Sequence, residues 1–315
     1  MEKIKVGVIG VGKLGYIHAR VYSEMKDVEL VGVCDINQEK AKKVAQELKT
    51  EFYFDYREII PYVDAVSIAV PTSLHYPIGK EFLKNGVHCL IEKPLAINLK
   101  EAKGLLKIAE GKKSILQVGH IERFNPAIQT ILKLPGEPRF IECHRLGNFS
   151  PRVKDVGVVL DLMIHDLDIV LTLVKAKVES IDALGVNVLT TYEDIANARI
   201  KFEDGTICNL TASRVSDERM RKIRIFKENS YISLDYFKQE VLIYYKRKNR
   251  VIHRFLPVKK EEPLKEELKS FINCIYKKGN PLVSGEEAYN ALKLAFRILK
   301  KIKENERKNY LYRCG

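Results

Sequence analysis

The chain has no tryptophan and only four methionines, and its six cysteines, at 34, 89, 143, 208, 274 and 314, include no Cys-x-x-Cys pair. Single cysteines inside apolar runs read as reduced packing residues, which speaks against a disulfide framework. The seven histidines show no ligand spacing with cysteine, so no metal site is expected. Long apolar runs are missing too. Nothing approaches the roughly 20 residues that span a bilayer, and Met1-Glu2-Lys3-Ile4-Lys5 enters a strand pattern at once instead of a signal-peptide core. The expectation is a cytoplasmic protein with no membrane partner.

Acidic balance is lacking as well: 54 Lys and Arg against 41 Asp and Glu give a net charge of +13. That charge suits a phosphorylated substrate or a lysine-rich surface. The basic residues are spread over amphipathic stretches such as 39–49 and 292–303, mixed with acids, and no basic block carries interleaved aromatics. No nucleic-acid partner is therefore expected. Abundant Lys and Glu without Trp also suits a thermophile.

What is present begins at the N-terminus. An apolar run, Val6-Gly7-Val8-Ile9, leads into Gly10-Val11-Gly12-Lys13-Leu14-Gly15 and then into a helical period, while a second apolar run ends in Asp35, twenty residues after Gly15. This is a dinucleotide fingerprint in its proper context. Gly10 permits the tight turn, Gly12 admits a pyrophosphate to the backbone, Gly15 lets helix and strand pack, and the helix N-terminus faces the phosphates. Asp35 is placed to accept from ribose hydroxyls and to repel a 2′-phosphate. NAD is thus favoured over NADP, with Asn37 and Lys40 softening the preference.

Strand patterns at 5–9, 30–34, 65–69, 88–91 and 115–118 alternate with helical periods at 14–25, 38–48, 76–85 and 99–110, which predicts a doubly wound parallel sheet over residues 1–119. Ligands bind such sheets beyond the carboxyl ends of the strands. Val70-Pro71-Thr72-Ser73-Leu74-His75 and Glu92-Lys93-Pro94 fall there, so Pro71, Thr72, His75, Glu92, Lys93 and Pro94 join the candidate cofactor contacts. Lys93 is also positioned to donate to a substrate oxygen, and Pro94 restricts its backbone.

Residues 120–315 predict a second, α+β domain. Asn125 should cap a helix opened by Pro126. Runs at 140–145, 178–188, 197–202, 206–214, 222–228, 231–236 and 241–245 predict one large, mostly antiparallel sheet. An apolar helix over 158–174 interrupts it, carrying Asp161 and His165 four apart and hence on one face, a candidate proton-transfer pair. Helices are expected at 264–276 and from 285 to about 305, the latter entered through a Ser284–Glu287 capping box and packing back on the first domain. The open face of the sheet needs covering, which predicts a homodimer or homotetramer.

With Glu92-Lys93-Pro94 at a strand end and Asp161-Leu162-Met163-Ile164-His165 on a helix, the chain resembles the Gfo/Idh/MocA family of NAD(P)-dependent sugar and polyol dehydrogenases over essentially its whole length. The resemblance implies a Rossmann domain followed by a substrate and oligomerisation domain. It further implies hydride transfer from a secondary alcohol, with Lys93, Asp161 and His165 catalytic and either Lys93 or His165 taking the hydroxyl proton. The segments 120–127, 150–152 and 155–166 are similar to the branch that oxidises the 3-hydroxyl of a UDP-N-acetylglucosamine-type sugar. Arg123, Asn125 and Arg152 are then substrate-binding candidates with Asp161 and His165, and Arg123, Arg152 and Arg214 either clamp an anion or form salt bridges. An unphosphorylated sugar or inositol-like polyol is the alternative substrate, and a non-catalytic nucleotide-sensing regulator the alternative class.

Overall fold

The computed structural model describes residues 2–149, 156–248 and 250–314, with backbone only over 308–314. The chain forms two compact units, residues 1–121 with 262–289 and residues 122–261 with 290–315.

In the first unit β1 (Ile4–Ile9), α1 (Lys13–Ser23), β2 (Val28–Cys34), α2 (Gln38–Leu48), β3 (Glu51–Tyr53), β4 (Ala65–Ile68), α3 (His75–Lys84), β5 (His88–Glu92), α4 (Leu99–Lys112) and β6 (Leu116–Gly119) alternate as expected. All strands are parallel, in the order β3-β2-β1-β4-β5-β6. Helices cover the sheet, so Val6 to Ile9 and all of β4 are buried and their sequence reads as continuous apolar runs. Asn37 and Asn98 start α2 and α4 by accepting hydrogen bonds from the amides of Lys40 and Glu101. The short edge strand β3 is not predicted, because only Tyr53 in it is even half-buried.

The unit is completed from far along the chain. Helix α7 (Pro263–Lys277) turns Leu264, Leu268, Phe271 and Ile272 into a core with Val6, Val8 and Tyr22.

The second unit contains α5 (Pro126–Ile131), β7 (Pro138–Leu146), a π-helical turn (Val159–Met163), α6 (Ile164–Leu173), β8 (Val178–Val186), β9 (Ile195–Phe202), β10 (Ile207–Ser213), β11 (Met220–Lys227), β12 (Ser230–Asp235), β13 (Glu240–Arg247) and β14 (Arg250–Leu256). These eight strands run β14-β13-β12-β11-β7-β10-β9-β8, antiparallel except for β7 beside β10. One face is buried, through Ile141, Ile200, Leu210, Ile223, Ile225, Ile232 and Val241. Across the other runs a rib of rings, Phe140, Phe226, Tyr231, Tyr244 and His253, with neighbouring centroids 4.7–5.5 Å apart. Edge strand β14 buries no residue, and its sequence carries no readable core face.

Helix α8 (Gly285–Cys314) is divided between the units: residues 285–289 belong to the first, as expected, where a Cβ on Gly285 would meet Leu106 and Leu116, and the rest belongs to the second. Its entry has the capping box, with the Glu287 amide on Ser284 Oγ and the Ser284 amide on Glu287 Oε2. Its body, however, lies on β8 of the second unit: Asn305 Nδ2 donates to the Ala183 carbonyl at 2.9 Å, and Ile302 fills the space a Cβ on Gly185 would need. Helix α7 joins the first unit along its whole length, its apolar stripe packing with Val6 and Val8 of β1 and Tyr22 of α1.

Candidate active site

The end of β1 is built by its glycines. Gly10 adopts φ +85°, and a Cβ there would lie 2.6 Å from the Ala69 carbonyl oxygen; one on Gly15 would collide with the Gly10 carbonyl oxygen. Gly12 differs, since nothing lies within 4 Å of its Cβ position and no side chain caps the helix it opens. Lys13 and Leu14 form the exposed first turn. A bare helix N-terminus with open space in front of it suits a pyrophosphate. At the end of β2, Asp35 accepts from the Val11 amide through Oδ2 (2.9 Å) and from the Asn37 amide through Oδ1 (2.8 Å). Its carboxylate thus ties the glycine turn to the second strand and is held half-exposed, where remaining lone pairs suit ribose hydroxyls. Together these residues fit a dinucleotide.

Beyond β4 and β5 the other first-unit candidates converge. Pro71 leads a short turn in which Thr72 is buried. His75 is buried between the two strand-end loops, with Nδ1 2.8 Å from the Pro94 carbonyl oxygen and Nε2 3.0 Å from that of Val70, and its neutral ring donates to one of them. Burial outweighs these carbonyls and pushes the His75 pKa down. The Lys93–Pro94 bond is cis, and Lys93 is half-buried while its neighbours Glu92 and Pro94 are buried. Glu92 receives the Lys93 amide on Oε2 (3.2 Å), and His18 Nε2 is 3.3 Å from its Oε1. Its carboxylate occupies the place of a side chain on Gly119, whose Cβ would come within 2.8 Å of it.

In the second unit Asp161 and His165 lie on a helical stretch that differs from the uninterrupted α-helix expected. Its first turn is π-helical, entered through the Val159 amide bonded to Glu193 Oε1, and α6 follows. Such turns insert one residue and re-aim side chains, often at functional positions. Over 158–170 only Asp161, Leu162 and His165 escape burial, so the expected shared face exists. The other two acids of the segment point inward. Asp166 takes two hydrogen bonds from Arg145, at 2.9 and 3.0 Å, while Arg145 also reaches Glu122 at 2.9 Å and stacks on the Tyr236 ring. Asp168 faces Arg123. The buried acids anchor the helix and leave Asp161 and His165 as its accessible polar pair. A carboxylate and an imidazole presented together can orient and move a proton.

Residues 4–120 match the GFO/IDH/MocA oxidoreductase family with an NAD-binding Rossmann fold, and residues 134–233 match its C-terminal domain. The chain is 39% identical to the UDP-N-acetylglucosamine 3-dehydrogenase of Acidithiobacillus ferrooxidans, over 87% of this chain and 90% of that protein. This chain belongs to the GFO/IDH/MocA family. As a member it is an NAD-binding oxidoreductase. The solved structure of the Acidithiobacillus enzyme superposes with a TM-score of 0.92 at 37% identity, covering 96% of this chain and 99% of that one. The myo-inositol 2-dehydrogenase of Thermotoga maritima is 27% identical over 96% of this chain and 97% of its own length.

In this GFO/IDH/MocA chain two of the three arginines take the second of the roles open to them, the internal salt bridge. Arg123 is 4% exposed, with Nη1 donating to Thr172 Oγ1 (2.6 Å) and to Asp168 Oδ1 (3.4 Å). Arg214, equally buried, is bound to Asp194, Thr190 and the Val156 carbonyl. Asn125 caps α5 through the Ala127 amide and donates to the Tyr236 carbonyl. A guanidinium inside a protein persists only when paired, so these side chains are committed to the fold. Arg152 and the rest of 150–155 lie outside the described residues. Sequence reading missed three buried polar residues of the first unit: His18, Gln117 and Glu267. A signal existed for Glu267, an acid on the apolar stripe of α7 beside Leu264, Leu268 and Phe271.

Proposed function

We propose that this oxidoreductase converts a secondary hydroxyl of a nucleotide sugar, the 3-hydroxyl of a UDP-N-acetylglucosamine-type substrate, into a ketone. The observation that carries the reading is the similarity to the Acidithiobacillus enzyme along almost all of both chains. Bound NAD supplies the hydride acceptor. Gly10, Gly12, Lys13, Leu14 and Gly15 hold its phosphates and Asp35 its ribose, with Pro71, Thr72, His75, Glu92 and Pro94 shaping the strand-end loops beside it. Lys93 and His165 are the proton-handling groups: one removes the hydroxyl proton as the carbon loses hydride, and Asp161 orients His165 or grips a substrate hydroxyl. The base is either Lys93 or His165. The protein works in the cytoplasm.

The burial of Arg123 and Arg214 favours a second reading, in which an unphosphorylated polyol needs no anion clamp; the Thermotoga inositol dehydrogenase fits it. The deciding test is NADH formation with UDP-N-acetylglucosamine beside inositol and glucose, with UDP as inhibitor. Turnover of the nucleotide sugar and competition by UDP are expected. Turnover of inositol alone, indifferent to UDP, overturns the first reading in favour of the second. Lys93→Ala and His165→Ala should each lower kcat by about 10²–10⁴-fold, the range of general acid–base catalysis; full activity in both would remove the assigned roles.

The aromatic rib on the open sheet face belongs to the same reading. Its rings are half-buried or exposed in a single chain, and a second copy of the chain covers them.

A further inference from the structure

A buried carboxyl in the first unit has no part in the chemistry above. Glu267 of α7 is fully buried, and neither carboxyl oxygen has a hydrogen-bond partner among the described residues. Its backbone carbonyl accepts from Gln117 Nε2 at 3.1 Å, which fastens α7 beneath β6. One strand over is Glu92, whose carboxylate lies against Gly119, two residues along β6 from Gln117 and so on the same face of the strand. Their surroundings differ. Glu92 has a backbone amide, His18 and the charge of Lys93, whereas Glu267 sits on the apolar stripe of α7 beside Leu264, Leu268 and Phe271.

An ionised carboxylate with no donor in an apolar setting costs several kcal/mol, and the group takes a proton instead. Two neighbouring carboxyls in unlike settings therefore divide the charge: the solvated or hydrogen-bonded one ionises and the other stays an acid. Burial and the Glu92 charge both push Glu267 up, while the burial of Glu92 is overcome by His18, Lys93 and His75, which hold it below its usual range. A leucine would pack better on this stripe, and positions that break a local rule at a cost in stability are where function is found.

We propose that Glu267 is a positioning residue for Lys93: as a neutral acid it leaves Glu92, held by His18 and the Lys93 amide, as the one anion beneath the reacting lysine. The proposal rests on Lys93 being a reacting group. Ionisation of Glu267 at alkaline pH would place a second negative charge there and displace the Glu92–His18 arrangement.

The test reads the carboxyl directly, in the NAD-loaded enzyme. The infrared carbonyl stretch of a protonated buried acid should be present at neutral pH, absent in Glu267→Gln, and in Glu92→Gln should titrate at lower pH than in the wild type. Should Glu267→Gln fail to fold, carboxyl-labelled glutamate followed by carbon NMR gives the same titration in the unsubstituted chain. In turnover, the ratio of kcat at alkaline pH to kcat at neutral pH should rise in Glu267→Gln. A missing acid band, a titration unmoved by Glu92→Gln, or an unchanged pH profile each overturns the proposal. The spectroscopic outcomes are independent of substrate, so they stand apart from a failure of the Lys93 reading, which Lys93→Ala reports by keeping its activity.

Discussion

At the scale of single residues, the glycine turn separates folding from binding. Gly15→Ala forces a methyl onto the Gly10 carbonyl oxygen, so it should lower stability by at least ~1–3 kcal/mol, seen as a fall in Tm without any ligand. Gly12→Ala meets open space at an ordinary φ of −62°. Its Tm should match the wild type while NAD binds about tenfold more weakly, a difference of ~1.4 kcal/mol in titration calorimetry. Equal loss of stability in both variants would show that the turn serves packing alone. The positions of the glycine turn, Asp35, Lys93 and the Asp161–His165 stretch were legible in the sequence pattern, whereas the catalytic roles given to Lys93, Asp161 and His165 came from the family resemblance. The roles of the arginines were not legible. Whether a guanidinium faces a ligand or an internal acid depends on partners such as Asp168 and Asp194, which approach only when distant segments fold together.

Among the elements, those with strong periodicity were legible, and the departures have physical causes. The π-helical turn before α6 is invisible to a 3.6-residue pattern, since it depends on Glu193 taking the Val159 amide. Beside Glu193, Asp194 accepts the amides of Val188, Leu189 and Thr190, the Thr190 hydroxyl and Arg214 Nε. Burial raises its pKa, but these donors outweigh burial and hold the carboxyl far below the usual range. Its contribution to stability is therefore complete above the unfolded value of about 3.9 and is lost as pH falls through the lower folded value. Asp194→Asn should cost ~3–5 kcal/mol at neutral pH, leaving Arg214 without its counter-charge, and this deficit should shrink in acid. A deficit in urea titrations that stays constant with pH would contradict the linkage.

For the whole molecule, the proposed covering of the aromatic rib by a second copy has a direct test. Tyr231→Glu with Tyr244→Glu should yield monomers in sedimentation velocity, against dimers or tetramers for the parent chain, with the spectrum of the folded protein retained. A monomeric parent would remove the sheet face as an interface. The division of the chain into two units has a further consequence, for the order of its birth. The first unit takes its last core helix from Leu264 to Ile272, after the entire sheet of the second has been translated. At the ~5–20 residues per second of synthesis, the nascent Rossmann sheet waits for many seconds with the α7 groove around Tyr22 and Val6 uncovered. During that interval the apolar side chains that α7 will cover, Val6, Val8 and Tyr22 among them, lack their last partner.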